Sequence, residues 1–454
     1  MPTELNTIYL IGIGGIGISA VARILHEQGK TVVGSDQEAS ELTDNLIKDG
    51  IDVHIGHRVE NLPRNIDLCI ISPAIQKTNV ELKELHERGV KIITYGQSLG
   101  LLSSSKYTIA IAGTHGKTTT TGLIGTTMVA ASYEPTVIIG TTLKEFSGLN
   151  VYTGHSKYLV VEACEYKRSF LDINPDILLL LNIEMDHFDV YKDEADYIDA
   201  FIQLAKKVPL DGCIIANIDD ENVKKVLAHA HCNVIRVSRK SEADYSLHGK
   251  NTLYRNYHLV GDLVLQLPGE HNKYNALMAY ALCHYLKVPD EIIFPNLYRY
   301  KGSWRRMEYK GKIGTTEIYD DYAHHPTEIS ASLNALREKY PRERICCIYQ
   351  PHQYNRTKNL LKEFGASFNL CDQVIVPDIY QVRDVKKDIE AVSAEILVKE
   401  IKKNKVPAKF GNGLEKTKEY IEKKYNDFDV IVIMGAGDVY KITKWLEEDE
   451  VLRV

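Results

Sequence analysis

An α/β protein of three consecutive units is predicted by three stretches built to one plan: a β-branched apolar run, a glycine-rich turn, then a helix-like pattern. They are IYLIGIGGIGISA at 8–20, TIAIAGTHGKTTTT at 108–121 and DVIVIMGAGDVYKITKWL at 429–446. A strand that feeds backbone N–H groups into a helix N-terminus is how parallel sheets hold phosphate groups at their carboxyl edge. At 454 residues the chain is long enough for about three domains, each able to bury a core.

Composition narrows the function classes. Hydrophobic content of 44%, charged content of 26% and a formal net charge of -6 carry no basic excess, so neither nucleic acid nor another polyanion is the expected partner. Eight cysteines occur without a C-x-x-C pair, and MPTELNTIYL lacks a secretory pattern, which points to reduced thiols in a cytoplasm. The central apolar run ILLLL at 177–181 is far too short to span a bilayer, so no membrane association is expected.

The first unit, 1–105, alternates strand-like runs (TIYLIGI, TVVGSD, DLCIISPAI, VKIITY) with helix-like stretches, the rhythm of a Rossmann-like parallel sheet. Gly12, Gly14 and Gly17 fit G-x-G-x-x-G, and Asp36 falls where a ribose-binding acid belongs. Those glycines admit any pyrophosphate, so a nicotinamide cofactor and another nucleotide satisfy them equally. The small, polar SLGLLSSSKYT marks a boundary near 105. A second unit, 106–302, opens with TIAIAG and continues through DILLLLNI and GCIIANID. A third, 303–454, gains its strand TTEIYDDY and ends in the glycine turn at 435–437. The charged segments KNKVPAK, EKTKEYIEKKY and EEDE read as solvated faces.

The second unit holds the strongest chemical signal. Gly113, Thr114, His115, Gly116, Lys117, Thr118 and Thr119 form a shortened phosphate loop, G-x-x-G-K-T, in place of the longer G-x-x-x-x-G-K-[ST]. Backbone N–H groups suit phosphate oxygens, Lys117 the terminal phosphate charge, and the Thr118 hydroxyl Mg²⁺. Glu162 ends one apolar strand and Asp186–His187 follow another, so hard oxygen and imidazole ligands are expected at the same sheet edge. A second nucleotide loop makes a dehydrogenase reading of the first superfluous. A mere nucleotide-binding regulator would not need these ligands together.

Taken in order, GTHGKT, EACEY, NIEMDH, LPGEHNKYNA, GSWRRME and DDYAHHPTE make the whole chain resemble the Mur ligases, ATP-dependent amide-forming enzymes of peptidoglycan precursor synthesis. GIGGIG, DDYAHHP and YQPHQYNRT at 349–357 are most similar to the branch that joins L-alanine to the lactyl carboxylate of UDP-N-acetylmuramate through an acyl phosphate. A recycling branch that attaches a tripeptide is the alternative, and it differs at the PHQYNR segment.

The resemblance implies a UDP site at Gly12, Gly14, Gly15, Gly17, Asp36 and Ser72, with the diphosphate over the glycine loop. It implies ATP at Gly113–Thr119, adenine beside His271 and Asn272, phosphates reached by Arg305 or Arg306, and ribose by Asp321. Mg²⁺ falls to Thr118, Glu162 and His187, and L-alanine to Tyr322, His324, His352 and Arg356. Lys117, Glu162, His187, Arg305 and His324 would form the catalytic set, with His187 or His324 as the base. The third unit would be Rossmann-like, and the protein a monomer or homodimer. Gln353, where many relatives carry arginine, and Ala323, where glycine is common, depart from the pattern; no counterpart of the carbamylated lysine found in several relatives is identified.

Overall fold

The computed structural model describes residues 5–453. Three sheets account for the strands. The first is wholly parallel, in the order Asp52–Ile55, Thr31–Asp36, Thr7–Ile11, Leu68–Ile71, Ile92–Thr94. Its central strand is TIYLI, with Ile8, Tyr9, Leu10 and Ile11 fully buried, as a strand covered on both faces requires. The edge strand Asp52–Ile55 has no counterpart among the predicted strands. Its sequence, DVHI, is short, charged and half exposed, so it lacks the apolar run that marks a central strand.

The second sheet has ten strands and is parallel through its middle, where Tyr107–Ala112 lies between Ile177–Leu180 and Tyr158–Ala163. Antiparallel strands close both edges, at Thr252–Arg255 and His258–Asp262 on one side and Leu149–Tyr152 on the other. The six-stranded third sheet is parallel except for its edge strand Glu308–Ile313, and Val430–Met434 runs through its interior with every residue buried. Among the described residues, no helix is long and apolar enough to cross a membrane.

The chain divides into two compact units. One contains the first two sheets, made of residues up to Glu184 with Glu194–Val264 and Asn275–Tyr300. The other contains the third sheet, from Lys301 onward, together with Met185–Asp193 and Leu265–Tyr274. Two short segments from the middle of the chain therefore pack with the C-terminal sheet.

Within the first unit a buried amide fastens the first sheet's helix Ile16–Glu27 to the second sheet. Asn150, fully buried on Leu149–Tyr152, donates to the Ile16 carbonyl and to Ser19 Oγ (3.0 Å), and its Oδ1 accepts from Arg23 Nη1 at 3.1 Å. Arg23 is itself buried and anchored by Asp49 at 2.7 Å. Replacing Asn150 with leucine removes three hydrogen bonds and leaves buried polar partners behind. The expected cost is about 3 kcal/mol in urea unfolding, and a loss below about 1 kcal/mol would show that this contact does not hold the unit together.

Candidate active site

The first glycine loop owes its shape to packing as well as to its backbone. Gly12 adopts φ +79°, and a Cβ there would meet Ser72 Cβ at 2.8 Å; one on Gly17 would lie 2.5 Å from the Tyr95 ring. Asp36 accepts the Gly14 N–H through Oδ2 at 2.8 Å and so braces the loop, while its Oδ1 has only a 3.5 Å contact from the Glu38 N–H. Ser72 lies half-buried at the end of the neighbouring strand, and Gly15 opens the helix with no side-chain cap, which leaves the helix-start amides for an anion.

In the phosphate loop, Gly113 (φ +145°) and Gly116 (φ +86°) make the turn into helix Lys117–Ala130. Neither tolerates a side chain: a Cβ on Gly116 would collide with the Asn275 amide, and one on Gly113 with Leu181 and Asn182. Asn182 fixes the loop. Its carbonyl accepts Thr114 N–H (2.9 Å), its Oδ1 accepts His115 N–H (2.8 Å), and its Nδ2 donates to the His115 carbonyl (3.0 Å). Two loop amides expected at the phosphates thus serve the loop itself. The first intrahelical bond is Thr120 N–H to the Gly116 carbonyl, so the amides at 116–119 are the helix-start donors suited to a phosphate. His115 Nε2 lies 3.0 Å from Glu184 Oε2.

Lys117 Nζ donates to the carbonyls of Gly113 (2.5 Å) and Thr114 (3.0 Å) and is ion-paired with Glu165, whose Oε2 is 3.0 Å away. Burial by itself would lower the ammonium pKa, but the Glu165 charge and hydrogen bond, together with the neighbouring Cys164 and Glu162, hold it above the usual lysine value. Thr118 Oγ1 donates to Glu162 Oε2 at 3.1 Å, while Glu162 Oε1 accepts Gly140 N–H at 2.6 Å. A hydroxyl and a carboxylate oxygen at the helix start fit a hard divalent cation beside phosphate.

His187 lies in the C-terminal unit with φ +55°, its N–H held by Asp186 Oδ1 at 2.7 Å. Asp186 forms a two-pronged pair with Arg356: Nε to Oδ1 at 2.9 Å and Nη2 to Oδ2 at 3.1 Å, both side chains almost fully buried. Burial would raise the Asp186 pKa, yet Arg356 holds it well below the usual carboxylate range. Arg356 therefore does not present an open fork. Only Nη1, held by two 3.3 Å contacts to His352, is a weakly engaged edge.

Around that edge stand the other residues expected at the amino acid. His324 packs edge-on to Tyr322 (5.5 Å) and lies 6.2 Å from His352, which stacks on Tyr380 at 5.5 Å. Burial pushes the His324 pKa down to about 4 and that of His352 to about 2, so both imidazoles are neutral near pH 7. Gln353, at φ +75°, is buried, donates its backbone N–H to the Tyr380 carbonyl and turns its side-chain amide toward the Val382 carbonyl at 3.5 Å.

The adjacent arginines differ sharply. Arg305 is 1% exposed, its guanidinium bonded to Asp320 (3.0 Å) and to the carbonyls of Gly435 and Gly437. Such a side chain cannot reach a phosphate, and the catalytic expectation for Arg305 is corrected to a structural one. Arg306 is half-buried over the Tyr322 ring, with Glu328 3.9 Å away. Asp321 is likewise enclosed: it accepts Met307 N–H, Ala323 N–H and Ser332 Oγ, and burial pushes its pKa up to about 6. It shapes the turn before His324 rather than offering itself to a ribose. His271 lies half-buried and Asn272 buried in the first turn of helix Glu270–Tyr285, Asn272 donating to the Pro268 carbonyl at 2.7 Å. Asn182 and Glu165 lie inside NIEMDH and EACEY but receive no role from the sequence, and Tyr380 belongs to no motif; each matters only through a contact distant in sequence.

These features define an α/β protein with a short glycine loop opening a helix, a hydroxyl–carboxylate pair beside it and a neutral histidine cluster on a third sheet. Family models cover most of the chain: "Mur ligase family, catalytic domain" matches residues 7–107, "Mur ligase middle domain" 111–283 and "Mur ligase, glutamate ligase domain" 305–437. The chain belongs to the Mur ligase family. It is 40% identical over 447 residues to a UDP-N-acetylmuramate--L-alanine ligase of Caldicellulosiruptor saccharolyticus, covering 96% of this chain and 97% of the relative. It is 38% identical to the protein of that name from Clostridium acetobutylicum, with 96% of each covered. Among solved structures, the UDP-N-acetylmuramate-alanine ligase of Thermotoga maritima superposes with a TM-score of 0.83 at 26% identity over 98% of this chain and 99% of that one. The murein peptide ligase of Psychrobacter arcticus shares the fold at 0.76 and 23% identity, over 99% of each chain.

Two outcomes are expected. In a histidine NMR titration, His324 stays neutral down to about pH 4. The unfolded state binds its proton first, so stability falls as pH drops from about 6.5 toward 4; titration of His324 near 6.5 would contradict its burial. Arg356→Ala strands a buried carboxylate and should cost about 4 kcal/mol of stability, measured by chemical unfolding, besides any effect on turnover; an unaltered unfolding midpoint would deny the pairing.

Proposed function

We propose that this chain joins L-alanine to the lactyl carboxylate of UDP-N-acetylmuramate at the expense of ATP, in peptidoglycan precursor synthesis in the cytoplasm. The observation that carries the reading is the meeting of DDYAHHP and YQPHQYNRT: His324 and His352, 28 positions apart, stand ring to ring at 6.2 Å beside Arg356 Nη1. A small amino acid with one carboxylate suits such a cluster. Full-length relatives carrying the name of that activity support the same choice.

In the reaction, a lactyl carboxylate oxygen attacks the γ-phosphorus and ADP leaves, giving an acyl phosphate. The alanine amine then adds to the carbonyl, and phosphate departs with the former carboxylate oxygen. Lys117 and the amides at 116–119 stabilise charge on the transferring phosphoryl group, with Arg306 assisting in place of Arg305. Thr118, Glu162 and His187 are the proposed holders of Mg²⁺, which would neutralise phosphate charge when bound. Gly12, Gly14, Gly15, Gly17 and Ser72 seat the UDP diphosphate on the first helix N-terminus, and His271 and Asn272 serve adenine. Tyr322, His324 and His352 line the alanine site. Neutral His324 accepts a proton from the amine as the bond forms, and Nη1 of Arg356 meets the carboxylate.

For domain limits we propose 1–105, 106–302 and 303–454, supported by one sheet in each span; Met185–Asp193 and Leu265–Tyr274 are middle-domain segments packed in the C-terminal unit. The protein works as a monomer or homodimer.

Sustained ADP release, beyond a single turnover per active site, is expected only when UDP-N-acetylmuramate and L-alanine are both present. A preference for the tripeptide L-alanyl-γ-D-glutamyl-meso-diaminopimelate over L-alanine would transfer the chain to the recycling reaction. Lys117→Ala should lower turnover about 100-fold or more, measured below its melting transition, which should itself fall because the change strands the buried Glu165 carboxylate. Near-normal turnover by that variant would remove the phosphate role of the loop.

A further inference from the structure

Lys117 has a competitor for its charge. An ammonium has three N–H donors, and in this structure Nζ meets three groups: the Gly113 carbonyl at 2.5 Å, the Thr114 carbonyl at 3.0 Å and the Glu165 carboxylate at 3.0 and 3.2 Å. Its donors are all engaged before any nucleotide arrives. A phosphate oxygen can reach Nζ only by displacing one of these acceptors. Two are neutral carbonyls of the loop that must itself wrap the phosphates; the third is anionic and 2% exposed.

Glu165 is held where it is by more than the lysine. It follows strand Tyr158–Ala163, which pairs in parallel with the strand leading into the phosphate loop. The Tyr197 hydroxyl lies 3.4 Å from Glu165 Oε1 and 3.1 Å from Thr114 Oγ1, and Thr114 Oγ1 donates to the Glu184 carbonyl at 2.8 Å. The carboxylate is thus tied through one phenol to the same loop that carries the lysine.

We propose that Glu165 is a positioning residue of the phosphate site, competing with the nucleotide for Lys117 and thereby lowering nucleotide affinity. This rests on the assignment of Lys117 to the ATP phosphates. Exchange of one anion for another around the same ammonium makes phosphate binding weaker than an unpaired lysine would give, and it returns the lysine to a ready partner when ADP leaves. The pair also holds Nζ against the Gly113 and Thr114 carbonyls of the loop before substrate is present. Glu165 does not enter the reaction by this account; it acts through Lys117.

The test is calorimetric ADP binding by the full chain, with and without Mg²⁺, for the wild type, Glu165→Gln and Glu165→Asp. Glutamine preserves the shape and removes the charge; aspartate, one methylene shorter, draws the charge back from Nζ. In Glu165→Gln the dissociation constant for ADP should fall about tenfold, with adenosine binding unchanged because adenosine carries no phosphate, and Glu165→Asp should shift in the same direction. The KM for ATP should fall while those for the other substrates hold. In a Lys117→Ala background the Glu165→Gln change should move ADP affinity less than about twofold, since the competition needs the lysine. Unchanged or weaker ADP binding in a Glu165→Gln protein with an unaltered melting curve would overturn the proposal, as would the same tenfold gain without Lys117. Failure of the wild type to bind ADP would remove the proposed function along with it. Wild-type binding with no gain in the variant removes only the role of Glu165.

Discussion

The buried pair between Asp186 and Arg356 is the interaction on which the arrangement of the chemistry depends. Strand Ile177–Leu180 belongs to the second sheet, yet the segment Met185–Asp193 packs with the third, and this ion pair fastens it there. Two charges withdrawn from water are tolerated only because the fork is bidentate and the second carboxylate oxygen is also bonded. The geometry of two neighbours follows from it. His187 takes its left-handed backbone with its N–H on Asp186, and His352 is held by both its carbonyl and its ring against Arg356 Nη1. A residue assigned to the cation and a residue assigned to the amino acid are thereby linked through one guanidinium.

A second constraint governs the phosphate loop. Parallel strands deliver Gly113 and Asn182 to the same edge, and Asn182 then bonds the loop on three sides. Because the loop is shorter than the usual phosphate loop, it has fewer amides to offer, and two of them close the loop itself. What remains for a nucleotide is the helix start at 116–119 and the lysine, which raises the importance of how that lysine is held. The glycines follow the same logic: Gly113 and Gly116 sit against Asn182 and Asn275 with no room for a Cβ.

Much of this architecture was legible in the sequence. Apolar β-branched runs ending in glycine turns announce parallel strands, because both the period and the turn chemistry are local properties. The edge strand Asp52–Ile55 was not, since a half-exposed edge needs no apolar run. Site residues divided along a similar line. Motif positions such as Lys117, Thr118 and Glu162 stand together as expected from strand ends, whereas the division of labour between Arg305 and Arg306 depends on which faces inward, a one-residue distinction that no spacing records. Asp321 illustrates a related point: an acid beside a histidine motif can be engaged by backbone N–H groups and a buried hydroxyl. The pairing of Asp186 with Arg356 joins residues 170 positions apart, and only tertiary structure brings such partners into view.

Activation of the carboxylate as an acyl phosphate before the amine attacks is the chemical step on which every assigned role converges. It is tested most directly by UDP-N-acetylmuramate carrying ¹⁸O in both oxygens of its lactyl carboxylate, turned over with ATP and L-alanine and followed by mass spectrometry of the phosphate released. One carboxylate oxygen must leave with phosphate if the carboxylate attacked the γ-phosphorus. One ¹⁸O per inorganic phosphate and none in ADP is therefore expected. Unlabelled phosphate, or label recovered in AMP, would contradict it.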